Sequence, residues 1–527
     1  MGWRVGGVRI ERENALSGVE ALTSAVALDP PLNAAESLVV EAFYNGTTAR
    51  LDADAWIRAS LLRGLCVHSG LVPGGTPAGL RLVGPKPIKD KPPPAPPRVA
   101  GELNLRGLQF DFPLVLKRLL LEHVQLADVR VVVLDLGGSV CAGFGGGRLH
   151  ASHAVNLNDG FVSNGRVWLV DAEIGGDLNL DRAALLGQAG KRSALVLDGT
   201  RIGGRLYMRS GFCAEKEVSA RSVRVEGSVY LDGGVFKGAL SFAGARVGGD
   251  LSLSDATLDG SRYEQQAARH EGNERLHGLD LHRLRVEGGL EMLRVKLSPC
   301  KGKLTANLAQ AHLGYLNDKV NSWHGAEKLM DGFTFDGIRI SDENVNSVIW
   351  PVIRCLAESD SSWVGQRRKW LAEQPPKSWS AHPYDQVIAA LRASGQEAAA
   401  RSIAVARERQ RRKAGRLRVG WPLNWLFGAV LGHGYRPAFA VLWSAAIIGV
   451  GSLWFGSASE KATKKPAPDF DAFGYSLDAF LPFDLGQVSA YVMTERADNF
   501  ALWTMTVLGW LFAALIAGAV TGLLRKN

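Results

Sequence analysis

The chain has 527 residues, a formal net charge of +9 and 61 glycines, and 46% of its residues are hydrophobic. This length is enough for about three ordinary domains, and the hydrophobic content excludes a globally disordered protein. Five scattered cysteines with no Cys-x-x-Cys pair exclude a disulfide framework and a cysteine zinc site. The chain is therefore predicted to fold in a reducing compartment.

Residues 1–77 predict a small N-terminal helical cap. The segments 35–43 and 54–65 carry apolar residues at helical spacing, which in the second segment are Trp56, Leu61, Leu62 and Leu65. We interpret this region as a cover for the open end of the repeat region that follows, since stacked repeats need capped ends.

Residues 78–340 contain a repeat of eleven residues that explains the excess of glycine. Apolar residues recur at this step in several columns, for example at Val229, Leu240 and Leu251, and glycine recurs at Gly238 and Gly249. Leucines two apart are typical of a strand, because alternate side chains of a strand share a face. A glycine in every unit disfavours a helix and suits a turn.

Each unit is therefore predicted to form one short strand and one corner, and stacked units to form a β-solenoid with a pentapeptide-like repeat. The fold class is mainly β. The first unit is expected at Leu80 and Leu82, and the last strand-like patch lies at 333–338. A proline-rich insertion over 85–98 and a second insertion at about 261–278 interrupt the repeat and are expected to loop out.

Residues 341–420 predict a helical neck that ends in a basic cluster. Residues 383–413 read as two helices joined at Ser394–Gly395. The cluster is expected to contact anionic lipid, because each cation near such a surface contributes about 1 kcal/mol. A topology signal without a separate role is the alternative. The basic residues are Arg407, Arg409, Arg411, Arg412, Lys413, Arg416 and Arg418.

Two apolar segments near the C-terminal end, 437–459 and 499–524, are predicted to be transmembrane helices, and 421–436 an interfacial helix. Lys and Arg flank both spans, whereas the loop 460–498 is acidic, so the loop is expected outside and both termini in the cytoplasm. Small residues four apart suggest helix packing, within one chain or between copies. They are Ala445, Gly449, Ala514, Gly518 and Gly522.

Motifs that carry chemistry are mostly missing from the sequence. There is no P-loop, GxSxG or HExxH motif. The glycine-rich segment 143–148 has Arg148 where a dinucleotide loop needs its third glycine, and it is interpreted as a solenoid corner. The pair His150 and His153 has no acidic third ligand nearby. We therefore predict no catalytic residue, no cofactor and no metal.

The chain resembles a bacterial family labelled "membrane-associated oxidoreductase". The resemblance is carried by GGDLSLSDATLDG (248–260), GFTFDGI (332–338), PYDQVIAALRASGQEAAARSIAVARERQRR (383–412), GYRPAFAVLW (434–443), YSLDAFLPFDLGQ (475–487) and IRASLLRGL (57–65). It covers nearly the whole chain and is most specific over 383–443. It implies the same architecture, and its label implies a redox activity.

These patterns favour a non-enzymatic interaction or sensing scaffold, a cytoplasmic β-solenoid anchored in a bacterial inner membrane. Its expected partners are the membrane and a protein bound by the solenoid, with a homo-oligomer possible and no nucleic acid. The alternatives are a redox enzyme with an unidentified cofactor and an oligomeric membrane-perturbing or channel protein.

Overall fold

The computed structural model describes most of the chain. The described residues are 19–26, 29–72, 77–87, 94–259, 278–298, 304–323, 326–338, 363–375, 378–413, 438–457, 460–462 and 469–524. The predicted interfacial helix at 421–436, the centre of the proline-rich insertion and nearly all of the second insertion lie outside them. The chain divides into two compact units, Met1–Ala390 and Leu391–Asn527.

Within its described residues, the first unit contains two large sheets of parallel strands, each with eighteen strands, in a β-solenoid-like arrangement. Sheet 1 consists of β1 (Ala49–Arg50), β3 (Leu80–Val83), β6 (Leu114–Lys117), β8 (Arg130–Val131), β9 (Leu134–Asp135), β11 (His150–Ala151), β12 (Val155–Asn156), β15 (Glu173–Ile174), β16 (Leu178–Asn179), β19 (Arg201–Ile202), β20 (Leu206–Tyr207), β23 (Arg224–Val225), β24 (Val229–Tyr230), β27 (Arg246–Val247), β28 (Leu251–Ser252), β31 (Arg285–Met292), β34 (His312–Asp318) and β36 (Thr334–Ile338).

Sheet 2 consists of β2 (Trp56–Arg58), β4 (Arg98–Ala100), β5 (Leu103–Asn104), β7 (Leu120–Gln125), β10 (Val140–Gly145), β13 (Val162–Ser163), β14 (Val167–Trp168), β17 (Ala184–Leu185), β18 (Ser193–Val196), β21 (Cys213–Ala214), β22 (Glu217–Ser219), β25 (Val235–Phe236), β26 (Leu240–Ser241), β29 (Thr257–Asp259), β30 (Leu279–Asp280), β32 (Lys296–Ser298), β33 (Leu304–Asn307) and β35 (Ala326–Leu329). The chain alternates between the two sheets along its length.

Two eleven-residue units make one coil. Val229 pairs with Leu251 in sheet 1, whereas Leu240, one unit after Val229, lies in sheet 2 and pairs with Leu279. Successive units therefore face each other across the core, and only alternate units stack. Leucine, valine and isoleucine columns from both sheets fill the interior, where Val229, Leu240 and Leu251 are each 0% exposed.

The recurring glycine lies at a bend between two strands of a unit, as predicted, and it has a second role that we did not predict. Gly227 and Gly249 belong to a column in which each amide donates a hydrogen bond to the glycine carbonyl one coil earlier, at 2.9 Å for Gly249 and Gly227. A Cβ on Gly227 would lie 2.8 Å from the carbonyl oxygen of Gly204. These glycines allow adjacent coils to approach closely, and their φ angles are not positive.

The corners of the coil use another position in the unit. Ser222, Gly233, Gly244 and Asp255, eleven residues apart, have φ angles of 54°, 68°, 68° and 59°. This left-handed backbone favours glycine, yet corners along the solenoid also carry aspartate, serine and arginine, for example Arg283 with φ 55°. The predicted corner at 143–148 is only partly correct, because residues 143–145 belong to β10 and the turn lies at 147–148, where Arg148 has φ 53°.

The N-terminal region is helical, as predicted, but strands begin inside it. Its helices are α1 (19–26), α2 (Ala34–Tyr44) and α3 (Ala59–Val67), followed by a 3-10 helix at Ser69–Leu71. The segment 54–65 was predicted as one helix, yet its first part forms β2, which pairs with β4. Strand β1 pairs with β3, so the parallel stacking starts before Leu80.

Two helices follow the last strands of the first unit, α4 (Trp363–Ala372) and α5 (His382–Ala393), and α5 crosses the boundary between the units. Helix α4 contacts the 3-10 helix Val320–Trp323, where Trp323 and Trp370 pack edge to face at 5.9 Å. Wholly buried Trp370 and Arg367 thereby cover apolar surface beside the last coils.

The second unit is helical and contains one short antiparallel ribbon. Its elements are α6 (Glu397–Lys413), α7 (Ala438–Phe455), α8 (Ala472–Phe480), α9 (Gln487–Ala490), α10 (Arg496–Leu524), and the ribbon of β37 (Glu460–Ala462) with β38 (Tyr491–Met493). Phe455, Tyr475, Phe480, Met505 and Phe512 form the centre of its core.

Within the residues that the structure describes, no helix combines the length and the apolar character needed to cross a membrane. The transmembrane helices predicted over 437–459 and 499–524 are therefore unsupported as spans. Helices α7 and α10 do form at these positions.

Candidate functional site

The outer face of sheet 1 carries four arginines in register, one on each of four successive coils. Arg201 pairs with Arg224, Arg224 with Arg246, and Arg246 with Arg285. We call these residues the arginine row. Neighbouring strands lie about 4.8 Å apart, so the row is about 14 Å long between its first and last Cα atoms.

The alternation of the strand exposes each arginine. Ile202, Val225, Val247 and Val286, one residue later, are at most 2% exposed and point into the core. The arginines consequently point outward and are exposed. Their backbone is fixed by ladder hydrogen bonds, for example from the amide of Arg246 to the carbonyl of Val223 at 2.9 Å.

Only the first arginine of the arginine row has an ion pair among the described residues. Arg201 forms an ion pair with Glu173 at 3.1 Å. Arg224, Arg246 and Arg285 have no ion pair with any residue that the structure describes. Like charges directly opposite one another destabilise a sheet, and two unit charges about 5 Å apart in water repel by about 1 kcal/mol. The fold therefore gains no stability from placing these arginines opposite one another.

Acidic and glycine residues form a second column beside the arginine row. Glu226 and Glu287 lie two residues after Arg224 and Arg285, and both are exposed. Gly203 and Gly248 occupy the same column on the other two coils. The face therefore presents continuous positive charge along one line and sparse negative charge along the next.

The strands β20 and β24, on two successive coils, carry a compact aromatic cluster on sheet 1. Tyr207 and Tyr230 are in register and stacked, with ring centroids 5.6 Å apart. Arg209 covers Tyr207 at 4.5 Å and binds the carboxylate of Asp181 at 2.9 Å. That hydrogen bond raises the pKa of Arg209 despite its partial burial. The guanidinium of Arg209 and the two tyrosine rings are therefore already engaged in an ion pair, a cation–π contact and ring stacking.

The helical unit has an apolar surface that solvent reaches. Ten large hydrophobic side chains of α7 and α10 are at least 43% exposed, and Leu453 is 82% exposed. We call them the apolar helix surface: Leu442, Trp443, Val450, Leu453, Trp454, Phe500, Trp503, Val507, Trp510 and Leu511. Part of it borders a groove of about 550 Å³ between the two helices, lined by Ile447, Ala501 and Met505 among others.

The basic cluster predicted from sequence is described in part. Arg407 forms an ion pair with Glu408 at 3.3 Å, and Arg411 approaches the same carboxylate at 4.0 Å. Arg409 and Lys413 are exposed on α6. Arg412 lies in α6, but the structure does not describe its side chain, and Arg416 and Arg418 lie outside the described residues. Lipid contact by this cluster stays a prediction.

The close helix contacts that the structure describes in the helical unit do not involve the small residues that we predicted to pack helices together. Ala445, Gly449 and Ala514 are exposed, and a Cβ on Gly449 would meet nothing within 4 Å. Gly518 and Gly522 lie in the last part of α10, whose side chains are not described. Gly451 and Gly509 instead face Met505 and the backbone of Phe480. Association between copies stays a prediction.

The geometry does not test the prediction that the protein lacks a metal site. It also adds no observation in favour of the redox activity that the family resemblance implies. Among the described residues, no three His, Cys, Asp or Glu side chains are grouped as metal ligands would be. His150 approaches Glu173 at 3.3 Å on the outer face of sheet 1. Burial raises the pKa of the Cys141 thiol to about 11, which suits a core residue better than a nucleophile.

Sequence reasoning missed the arginine row, although its signal was present. Arg201, Arg224, Arg246 and Arg285 each precede an inward-facing apolar residue at the same place in a unit. The spacing between them is uneven because the insertion at about 261–278 separates the last two. Their alignment becomes visible only once two units are known to make one coil.

No family model, no curated protein and no solved structure matches this chain.

Proposed function

We propose that the protein is a non-enzymatic interaction scaffold that is held on a bacterial inner membrane by its C-terminal helices, with the solenoid on the cytoplasmic side. The observation that carries this proposal is the apolar helix surface. Contiguous apolar patches of more than a few hundred Å² are rare on soluble monomers and mark sites that bind a membrane or a protein.

The pattern on α10 supports lipid contact. Phe500, Trp503, Val507 and Trp510 recur at intervals of three and four residues, so they share one face of the helix. Burial of one large apolar side chain contributes about 1.5–3 kcal/mol. Burial of several such side chains in a bilayer would favour attachment of the unit, and the rings of Trp503 and Trp510 on this face are amphipathic and suit an interface.

The solenoid supports the scaffold part of the proposal. Its parallel ladders hold surface side chains at fixed spacing, and repeat proteins use such extended surfaces to bind partners. In the arginine row, Arg224, Arg246 and Arg285 have no ion pair with any residue that the structure describes. A recognition face in the same chain as a membrane-bound unit would recruit a partner to the membrane.

The membrane part is tested by flotation of the full-length chain with vesicles that contain anionic lipid, followed by alkaline carbonate washing. We expect the wild-type chain to float and to resist the wash. The W503E/V507E variant should shift to the lipid-free fraction, because two carboxylates on that face oppose insertion.

The matched control is L38E/V67E, which places the same charges at apolar residues of the first unit that are 42% and 50% exposed. This variant should float like the wild type. Failure of the wild type to float, or its appearance as a soluble oligomer without lipid, would contradict the proposal. Release of a stoichiometric flavin, nicotinamide or redox metal on denaturation would contradict its non-enzymatic part.

A further inference from the structure

We propose that the arginine row is the docking site for an acidic α-helix of a protein partner. This inference rests on the scaffold function proposed above and names the chemistry of its partner. The first support is charge: Arg224, Arg246 and Arg285 are exposed, in register and without an ion pair among the described residues. Guanidinium groups bind carboxylates with paired, directional hydrogen bonds.

The second support is spacing. Strand separation places the four arginine Cα atoms at 0, about 4.8, about 9.6 and about 14.4 Å along the row. Residues i, i+3, i+7 and i+10 of an α-helix rise to 0, about 4.5, about 10.5 and about 15 Å and lie on one face. An extended strand places same-face residues about 6.8 Å apart, so it loses register with the row after one step.

The third support is the column beside the row. Glu226 and Glu287 repel a phosphate polymer or a flat anionic lipid surface, which carries negative charge throughout. A helix can carry a basic residue on the neighbouring stripe, where it would meet these two carboxylates. Gly203 and Gly248 in the same column present no side chain, which leaves room for a helix to approach the sheet.

The arginines are positioned in advance for this contact. Each lies on a strand whose amide and carbonyl groups are bonded to the coils on either side, as the amide of Arg285 is to the carbonyl of Ala245 at 2.9 Å. Binding therefore orders only the arginine side chains and not the backbone, which lowers the entropic cost of docking. Their mutual repulsion is relieved when carboxylates are placed between them.

The test uses the full-length chain in detergent and two labelled synthetic helical peptides of identical composition. One peptide carries four glutamates at i, i+3, i+7 and i+10, and the other distributes the same glutamates around the helix. We expect the first to bind about tenfold more tightly in fluorescence anisotropy at about 50 mM salt, and to weaken at higher salt.

Two pairs of substitutions remove equal charge. The R224Q/R246Q variant should lose about tenfold in affinity for the ordered peptide. The control R148Q/R294Q removes two exposed arginines that pair with Asp128 and Asp255 at corners, and it should bind as the wild type does. The R224E/R246E variant should instead prefer a peptide with lysines at the four positions, which separates recognition from misfolding.

Equal binding of the two glutamate peptides, or binding of neither, would overturn the proposal. So would preferential binding of a single-stranded oligonucleotide or of anionic vesicles through the same arginines. The experiments distinguish failure of the docking site from failure of the membrane attachment. A chain that floats with vesicles but ignores the ordered peptide contradicts only the docking site, whereas a chain that binds the peptide but does not float contradicts only the membrane part.

Discussion

Arg367 of α4 and Asp318 at the end of β34 form an ion pair in which both side chains are wholly buried. The guanidinium donates two hydrogen bonds to the carboxylate, at 2.5 and 3.2 Å, and Trp323 donates a third at 2.6 Å. The rings of Trp363 and Trp370 lie 5.2 and 4.7 Å from the guanidinium carbon. This network fixes the helix against the last coils of the solenoid.

Loss of one partner of this pair should strongly destabilise the first unit. We expect Arg367→Met to cost about 3–5 kcal/mol, because it leaves the buried Asp318 charge uncompensated. Chemical unfolding followed by tryptophan fluorescence would measure this cost. The exposed pair of Arg294 and Asp255 provides the control, since R294Q should cost at most about 1 kcal/mol. Equal effects of the two substitutions would refute the structural role of the network.

Substitution of Gly248 should destabilise the fold, whereas substitution of Gly233 by asparagine should be tolerated. A Cβ on Gly248 would collide with the carbonyl oxygen of Glu226 on the preceding coil. We expect Gly248→Ala to cost about 1–3 kcal/mol through strain. Gly233 has φ 68° with nothing within 4 Å of its Cβ position, so G233N should lower the melting temperature little. Thermal unfolding of both variants checks the contrast, which a larger loss in G233N would reverse.

The thiols of Cys66 and Cys141 should be unreactive in the folded protein. Burial raises the pKa of Cys66 to about 12 and that of Cys141 to about 11. The thiolate is the reactive form, so at pH 8 we expect both to react with iodoacetamide at least about tenfold more slowly than in the chain unfolded by urea. Mass spectrometry of the labelled peptides reports each site. Rapid labelling of either thiol in the native chain would contradict its placement in the core.

Glu36 should make the N-terminal region sensitive to acid. Burial alone would raise the pKa of this carboxyl, but the hydrogen bonds from Arg58 outweigh it and leave the pKa below its usual value. Arg58 binds it at 2.7 Å. A carboxyl whose pKa is lowered on folding stabilises the fold above its unfolded pKa, and this stabilisation disappears as the pH falls through the folded value.

We therefore expect wild-type protein to be more stable than Glu36→Gln at pH 7 and this difference to shrink below about pH 4.3, the usual glutamate pKa. Urea unfolding at several pH values, followed by far-ultraviolet circular dichroism, measures the difference. A difference that stays constant down to about pH 2 would exclude this linkage.

Local patterns in the sequence were sufficient to predict the strands of the repeat. The paired apolar residues at Leu80 and Leu82 do form β3, and the alternation that predicted a strand places Leu82 in the core at 0% exposure. Such patterns act over a few residues, because strand periodicity is local. The same reasoning misjudged the segment 54–65, where pairing of β2 with β4 outweighs the apolar spacing that grouped Trp56 with Leu61 and Leu65.

The close approach of neighbouring coils at the recurring glycines could not be predicted from local patterns. A recurrent glycine suits a turn in any single unit, and only the stacked coils reveal that Gly227 meets Gly204 at closest approach. The left-handed corners accept serine and aspartate as well as glycine, so they carry no uniform sequence signal. Ser222 and Asp255, which both have positive φ, are examples.

By itself the sequence determined the eleven-residue period, the short strands and the apolar columns, because these depend on which side chains of one segment can be buried together. The tertiary structure decided that two units close one coil, and with it that Arg224 stands over Arg246 while Leu240 faces the opposite sheet. The number of units in one coil depends on the backbone corners and on the packing of strands that are distant in the sequence. The candidate binding face follows from it, since residues separated by a whole coil become neighbours only when the coil closes.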